Sequence, residues 1–294
     1  MNRHIIFILS LILVILSPKI GCSSLSPSIN LSRPILKQGE FITVSLSTPK
    51  TPSRIWGRFH GKRIIFTPQS SPNSYSAFVG ADVLARLGLH PLEINVDYPD
   101  GKASSTIELI FIQQGAFRKE KLRYGKTTDQ EEKVKERVRQ EFLMMGKILS
   151  SGSTNRYWEK PFTKPVNSIM TSPFGSQRIF NNELQTVHTG VDLRAGVGTP
   201  IEATNRGKIA YAGELYYCGK TVLIDHGGGI FSQYCHLSKI NVKQGQTIEH
   251  GTVIGLAGTS GRVTAPHLHW AIHINGARIS PLYFLEQTLP WKEF

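Results

Sequence analysis

Residues 267–272 read His-Leu-His-Trp-Ala-Ile, and this alternation of polar and apolar side chains predicts a β-strand. Successive side chains of a strand point to opposite faces, so Leu268, Trp270 and Ile272 would form one apolar face. His267 and His269 then project together from the other face. The pattern predicts a strand that lies on a hydrophobic core and offers two imidazoles to a site.

Two other segments place functional side chains on one face in the same way. His188 and Asp192 are four residues apart in His-Thr-Gly-Val-Asp, where Gly190 argues against a helix. Tyr234 and His236 are two residues apart, so a strand would also put them on one face. The C-terminal half therefore offers several histidines and a carboxylate in extended segments.

These residue types suit a catalytic zinc ion. Such a site binds zinc through three imidazole nitrogens or carboxylate oxygens, at about 2.0–2.2 Å, and leaves a fourth position for water. His188, Asp192 and one of His267 and His269 would supply the three ligands, and the spacing leaves open which of the pair. The other histidine of the pair and His236 would then be free for proton transfer.

A series of motifs around these residues resembles the lysostaphin/LytM family of zinc metallopeptidases, over roughly residues 158–285. In chain order the motifs are Ser172-Pro173-Phe174-Gly175 with Arg178, His-Thr-Gly-Val-Asp at 188–192, Gly-Thr-Pro at 198–200, Ile-Asp-His-Gly at 224–227, Tyr-Cys-His-Leu-Ser at 234–238 and Gly-Arg-Val-Thr-Ala-Pro-His-Leu-His-Trp at 261–270.

The resemblance implies that His188, Asp192 and His269 bind one Zn²⁺ per chain. It implies that His236 and His267 are catalytic, activating water and stabilising the transition state. All five residues are present, whereas some relatives have lost them and act only as activators of wall amidases. The implied fold is mostly antiparallel β-sheet with a groove across the sheet, and the implied substrates are peptidoglycan peptides.

Two residues are assigned to substrate binding on the same basis, Arg178 and Tyr234. Arg178 would bind a substrate carboxylate, with bracing of the fold as the alternative. The sequence departs from the family at Ala265, where many relatives have glycine. Residues 180–183, Phe-Asn-Asn-Glu, lack the tyrosine that glycine-bridge specialists often carry before the first zinc histidine. We therefore expect cleavage of the D-alanyl–diaminopimelate cross-link.

The N-terminal residues 1–22 predict export. Arg3 and His4 precede an apolar run over residues 5–16, which is too short to span a bilayer and is typical of a signal peptide. Ile20-Gly21-Cys22 resembles a lipoprotein processing site with Cys22 as the lipidated residue, although Lys19 departs from that pattern. We expect a protein of the cell envelope or periplasm, with membrane anchoring through Cys22 left open.

The other two cysteines, Cys218 and Cys235, flank a predicted hairpin. In an oxidising compartment such a pair favours a disulfide, and two buried thiols are the alternative.

The expected fold class is all-β and mainly antiparallel, in three parts. Residues 25–115 alternate with period two between turn signals such as Pro99-Asp100-Gly101, which predicts an immunoglobulin-like β-sandwich. Residues 116–160 form a basic linker with an amphipathic helix, and residues 161–290 form the LytM-like peptidase domain. The helix begins with a capping-box pattern at Thr128 and Glu131.

One apolar stripe of that helix is interpreted as a packing surface, formed by Val134, Val138, Phe142, Met145 and Leu149. A second hypothesis is that the helix and loop at 127–160 cover the zinc groove and inhibit the enzyme.

The charge is consistent with a wall-acting enzyme. The 34 basic and 21 acidic residues give a net charge of +13, which favours polyanionic partners such as an acidic wall polymer. No zinc-finger or RNA-recognition pattern is present, so nucleic acid is not favoured. We expect a monomer. The alternatives to an active endopeptidase are a non-catalytic peptidoglycan-binding or amidase-activating factor on the same fold, and a structural envelope lipoprotein.

Overall fold

The computed structural model describes residues 26–121, 132–180 and 183–287. Within these ranges the chain is mostly antiparallel β-sheet, as predicted, and neither helix is long and apolar enough to cross a bilayer. The predicted signal peptide, the lipidation site Cys22 and the capping box lie outside the described residues.

The N-terminal part contains two sheets. The four-stranded sheet has the order β1-β3-β7-β6, with bounds Ser28–Leu31 (β1), Phe41–Ser47 (β3), Ser74–Gly80 (β7) and Phe66–Pro68 (β6). The five-stranded sheet has the order β2-β9-β8-β4-β5, with bounds Ile35–Lys37 (β2), Ala103–Gln113 (β9), Gly88–Asp97 (β8), Arg54–Phe59 (β4) and Lys62–Ile64 (β5).

Alternate side chains of both sheets meet in one hydrophobic cluster. Val44 and Val79 of the first sheet and Leu92, Ile110 and Ile112 of the second belong to this cluster, and all five are fully buried. The period-two pattern of the sequence therefore corresponds to one buried face on each sheet. The immunoglobulin-like character of this part stays a prediction.

The C-terminal part is built on a large sheet whose central path is β11-β14-β21-β18-β17-β16-β19. These strands span Met170–Ser172 (β11), Val191–Arg194 (β14), His267–Ile274 (β21), Ile230–Ile240 (β18), Gly219–Gly227 (β17), Gly207–Leu215 (β16) and Thr247–Ile248 (β19). Pro200–Glu202 (β15), Val253–Ala257 (β20) and Ala277–Ile279 (β22) extend the sheet, and a short helix, Pro281–Glu286 (α2), follows.

Strand β21 has the two faces that its sequence predicts. Leu268, Trp270 and Ile272 are fully buried in the core of this part. His267 and His269 are on the opposite face of the same strand. The core side of β21 therefore fixes the direction in which both imidazoles point.

The predicted linker contains regular secondary structure, a short strand and a helix. Lys119–Lys121 (β10) pairs in parallel with Gln177–Phe180 (β12), which in turn pairs with Glu183–Val187 (β13). The helix Glu132–Ser150 (α1) lies where the sequence predicts a helix.

The apolar stripe of α1 is only partly a packing surface. None of the helix residues is buried, and Phe142 is 77% exposed. The helix contacts the turn after β16, where the Tyr216 N–H donates to Glu141 Oε2 at 2.8 Å and Arg137 stacks over the Tyr216 ring. Coverage of the groove by the segment 127–160 stays a prediction.

The N-terminal and C-terminal parts share buried surface. Phe41, Phe78 and Val83 of the N-terminal part belong to the hydrophobic cluster of the C-terminal part. Asp82 accepts hydrogen bonds from the backbone and the guanidinium of Arg278 on β22. The two predicted domains are therefore joined by a packed and ion-paired interface.

Truncating the core face of β21 should destabilise the fold. Replacing the fully buried Leu268 by alanine leaves a cavity, so we expect Leu268→Ala to lower the free energy of unfolding by about 2–5 kcal/mol. Leu89→Ala is the matched control, because Leu89 is 63% exposed and should change it by less than about 0.5 kcal/mol. Guanidinium unfolding followed by tryptophan fluorescence compares the two; equal effects would contradict the core assignment.

Candidate metal centre and active site

Three side chains converge on one point beside strands β14 and β21 of the large sheet. His188 Nε2, Asp192 Oδ1 and His269 Nδ1 lie 3.0 Å from one another. Asp192 of β14 is paired directly with His269 of β21, while His188 lies between β13 and β14. Two adjacent strands and the loop before them thus bring together residues that are up to 81 positions apart in sequence.

This cluster fits a divalent metal. Tetrahedral bonds of about 2.1 Å place neighbouring ligand atoms about 3.4 Å apart, which is close to the separations found here. His188 Nδ1–H donates to the carbonyl oxygen of Pro173 at 2.9 Å, so its Nε2 lone pair is directed at the cluster. Among the described residues, these three form a candidate metal site.

The electrostatics of the cluster favour an ionised carboxylate. Burial by itself would raise the pKa of Asp192, but the hydrogen bonds with His188 and His269 outweigh burial and hold that pKa well below its usual range. Burial lowers the pKa of His269, and this effect exceeds the opposing attraction of Asp192. An anionic oxygen and a neutral imidazole are the forms that bind zinc.

His236 and His267 lie beside the cluster. Their ring centroids are 4.9 Å apart, and His267 Nε2 is 3.6 Å from Asp192 Oδ1. His236 Nδ1–H donates to the Ser260 carbonyl, and His267 Nδ1–H donates to the Ala265 carbonyl. In both rings Nε2 therefore carries the free lone pair.

The five side chains differ in exposure. The four side chains of His188, Asp192, His267 and His269 are between 13% and 20% exposed. His236 is buried, and burial lowers its pKa to about 4. The site is therefore a partly open depression that contains a neutral imidazole at pH 7.

The comparisons with known proteins agree with this geometry. Residues 186–281 match the family model of Peptidase family M23. The chain carries a peptidase family M23 domain. It is homologous to the LytM/lysostaphin-type endopeptidases, which confirms the resemblance seen in the motifs.

Curated relatives match part of this chain. The DD-carboxypeptidase/endopeptidase Mpg of Neisseria meningitidis serogroup B is 38% identical over 117 residues, which are 40% of this chain and 27% of the relative. The peptidoglycan DD-endopeptidase ShyA of Vibrio cholerae is 39% identical over 95 residues, which are 32% of this chain and 22% of the relative. The chain thus spans about a quarter of the length of these relatives.

A solved structure is similar over most of the chain. It is that of a peptidase M23 candidate from Pseudomonas aeruginosa, 27% identical, with a TM-score of 0.66. The similarity covers 87% of this chain and 96% of the other, so it includes the N-terminal part as well as the M23 domain.

Tyr234 does not belong to the substrate surface, contrary to the prediction. Its side chain is fully buried, and its hydroxyl accepts hydrogen bonds from the Thr204 N–H and the Ser232 hydroxyl. The prediction assumed regular alternation between Tyr234 and His236. The backbone of His236 has φ = 63°, a left-handed conformation where the register of β18 against β17 shifts, so the regular alternation is broken between Tyr234, which faces the core, and His236, which faces the site.

His273 follows the parity of His267 and His269 on β21 but lies away from the metal cluster. It is buried, and its Nε2 bonds to Gln233 Oε1 at 3.0 Å. His226 is buried near the end of β17 and bonds to the Arg206 carbonyl and Ser232. Neither histidine contributes to the metal cluster.

Arg178 lies on β12 with its side chain exposed. Burial, and to a smaller extent the charge of Arg178, lower the pKa of His188, but the hydrogen bond and the charge of Asp192 outweigh them and leave this pKa raised. A cation at this position can bind an anionic group of a substrate.

Cys218 and Cys235 are neighbours and are free thiols in the structure. A hydrogen bond between the two side chains lowers the pKa of Cys218, and burial raises the pKa of Cys235. The predicted disulfide between them stays a prediction.

The backbone of Cys218 also supports the site. Its carbonyl oxygen accepts a hydrogen bond from the His236 N–H at 2.8 Å, a contact that residue spacing did not reveal.

Gly190 is required by the metal cluster. A Cβ at this position would lie 2.4 Å from the Trp270 carbonyl oxygen and 2.8 Å from His269 Nε2. The His-Thr-Gly-Val-Asp segment can approach β21 only because this residue has no side chain.

We expect Gly190→Ala to displace the His269 ring and to weaken zinc binding at least tenfold. Competition with a chromogenic chelator would measure the change. Gly146→Ala is the control, because a Cβ on Gly146 meets no atom within 4 Å and alanine suits its helix. Unchanged zinc affinity in a folded Gly190→Ala protein would contradict the placement of His269.

Proposed function

We propose that this protein is a zinc metalloendopeptidase that hydrolyses peptide cross-links of peptidoglycan. The observation that carries the proposal is the convergence of His188 Nε2, Asp192 Oδ1 and His269 Nδ1, with two further imidazoles beside them. The M23 family assignment and the peptidoglycan endopeptidases among the relatives support it. Residues His188, Asp192 and His269 would hold the Zn²⁺.

When bound, zinc supplies a Lewis acid for the scissile carbonyl and lowers the pKa of a bound water. His236 would accept a proton from the attacking water at its Nε2. Its ring is neutral above a pKa of about 4, and the Ser260 carbonyl holds Nδ1–H so that the basic Nε2 remains available. The protonated ring can then donate to the leaving amine.

His267 would stabilise the negative charge that develops in the transition state when Nε2 also carries a proton, because only an N–H can donate a hydrogen bond to that charge. Its Nδ1–H is held by the Ala265 carbonyl at 2.9 Å, and the ring lies next to His236. A group fixed in this way needs no reorganisation during the reaction, and such preorganised polar groups are effective in partly water-excluded sites.

The D-alanyl–diaminopimelate cross-link is the proposed bond. One relative is named a peptidoglycan DD-endopeptidase and another a DD-carboxypeptidase/endopeptidase, and the sequence lacks the tyrosine associated with glycine-bridge cleavage. Peptidoglycan stem peptides carry carboxylates, and the exposed guanidinium of Arg178 would bind one of them.

The proposed location is the cell envelope. The N-terminal residues 1–22 have the pattern of a signal peptide, and peptidoglycan lies outside the cytoplasm. Lipidation at Cys22 and a disulfide between Cys218 and Cys235 are part of this proposal.

The five site residues should separate into two groups on mutation. Asp192→Ala and His269→Ala should lose both zinc and activity, because each removes a ligand. His236→Ala should retain most of its zinc and lose about 10²- to 10⁴-fold in kcat, because it removes only proton transfer. Zinc content by mass spectrometry and hydrolysis of dimeric muropeptides measure the two effects. Equal zinc loss in all three variants would show that the ligand assignment is wrong.

Product analysis tests the reaction itself. Purified zinc-loaded protein should convert cross-linked dimers from diaminopimelate-type sacculi to monomers, and a chelator should abolish this activity. Mass spectrometry identifies the new termini. Uncut dimers with fully loaded protein would instead favour a peptidoglycan-binding or amidase-activating factor on the same fold.

A further inference from the structure

The left-handed backbone of His236 is supported by two separate segments of the chain. A residue with a Cβ rarely adopts such a conformation, and it persists only when its surroundings hold it in place. One segment, residues 216–220, is the turn between β16 and β17 together with the start of β17. The other is the loop before β21, residues 258–266, which we call the Ser260 loop.

Hydrogen bonds hold the backbone on both sides of His236. On its N-terminal side, the His236 N–H donates to the Cys218 carbonyl at 2.8 Å. On its C-terminal side, the carbonyl oxygen of Leu237 accepts from the Ser260 hydroxyl at 2.7 Å. The backbone around His236 is therefore bound once to each of the two segments.

The Ser260 hydroxyl connects two strands of the sheet. While it donates to the Leu237 carbonyl, it accepts a hydrogen bond from the Lys220 N–H at 2.8 Å. Lys220 of β17 and Leu237 of β18 are cross-strand partners, next to the point where the register of the two strands shifts. A hydroxyl can donate and accept at the same time, so this one side chain anchors the Ser260 loop to both strands.

The backbone of Ser260 holds the ring of His236. Its carbonyl oxygen accepts from His236 Nδ1–H at 3.0 Å. A neutral imidazole carries one N–H, and the hydrogen bond made by one ring nitrogen decides which nitrogen keeps that proton. Because the hydroxyl and the carbonyl belong to the same residue, anchoring the hydroxyl also fixes the position of the carbonyl oxygen.

The Ser260 loop and the turn before β17 are in direct backbone contact. A Cβ on Gly219 would lie 2.3 Å from the Ser260 carbonyl carbon and 2.4 Å from Ser260 Oγ. The Arg262 N–H donates to the Tyr217 carbonyl at 3.0 Å across the same contact. The loop can approach β17 this closely only because residue 219 has no side chain.

We propose that Ser260 is a positioning residue for the hydrolytic reaction. Its hydroxyl anchors the loop to β17 and β18, and its carbonyl then keeps the His236 proton on Nδ1, so that Nε2 can accept a proton from the attacking water. Ala265 of the same loop accepts from His267 Nδ1–H, so one loop orients both rings. The inference rests on the proposed function, but the tautomer of His236 can be measured without hydrolysis.

Nitrogen-15 NMR of the histidine side chains measures that tautomer. The sample is the full-length, zinc-loaded protein with labelled histidine, and the His236 signals are identified by their loss in His236→Ala. The parent protein should carry the His236 proton on Nδ1. Ser260→Ala removes the anchor, and we expect a second population with the proton on Nε2. Ser260→Thr retains a hydroxyl and should keep the parent tautomer.

Hydrolysis of dimeric muropeptides is the second measurement. Ser260→Ala should lose about tenfold in kcat, with KM changed by less than about threefold and the zinc content unchanged, because only the base is misplaced. Ser260→Thr should restore most of the kcat. Thr259→Ala is the matched control, because it removes a hydroxyl from an exposed position of the same loop and should have the parent activity.

Gly219→Ala displaces Ser260 by a different route. Gly245→Ala is its control, because both glycines have a left-handed backbone, with φ of 62° and 85°, and a Cβ on Gly245 meets no atom within 4 Å. Alanine is therefore strained at both positions but meets Ser260 only from position 219. We expect Gly219→Ala to shift the His236 tautomer as Ser260→Ala does, and Gly245→Ala to retain the parent tautomer.

The positioning role is overturned if a folded Ser260→Ala protein keeps the His236 proton on Nδ1, or if Ser260→Ala and Ser260→Thr lose kcat equally. Loss of zinc from Ser260→Ala as complete as from Asp192→Ala would also overturn it, because Ser260 would then support the metal centre. A parent protein that cuts no muropeptide, with the expected change of tautomer in Ser260→Ala, would contradict the hydrolytic function and still support the role of Ser260 in orienting His236.

Discussion

The strict alternation of β21 is the constraint on which the rest of the structure depends. Leu268, Trp270 and Ile272 are held in the core, so the backbone of this strand cannot rotate without exposing them. His269 is thereby fixed opposite Asp192 on β14, and His188 completes the cluster from the preceding loop. The metal-binding geometry is thus maintained by hydrophobic burial on the other side of the same strand.

Much of the site could be predicted because its residues lie on regular strands with period two. His267, His269 and Asp192 follow the alternation, and the structure brings them together. Tyr234 could not be placed, because the left-handed backbone at His236 interrupts the alternation. A non-glycine residue rarely adopts this conformation, and nothing in the local sequence marks it. Strain of this kind often occurs at functional positions.

The mainly antiparallel fold and the helix near 132–150 were also predictable from periodicity, but the packing between the two parts was not. Lys62 and Asp82 of the N-terminal part lie close enough to the buried His273 to affect its pKa, although they are about 200 positions earlier in the chain. The contacts of Asp82 with Arg278 and of the Asn275 side chain with the Phe78 carbonyl are equally remote in sequence. Local patterns describe a strand and its faces, but they do not tell which other element covers an exposed face.

The shared hydrophobic cluster has a consequence for how the molecule is put together. Phe41, Phe78 and Val83 complete the interior of the M23 domain, so a separated M23 domain would expose the apolar surface that they cover. During synthesis the N-terminal part emerges first and must keep these side chains protected until the later strands arrive. Exchange of one part between related proteins would then be tolerated only when the complementary surface is exchanged with it.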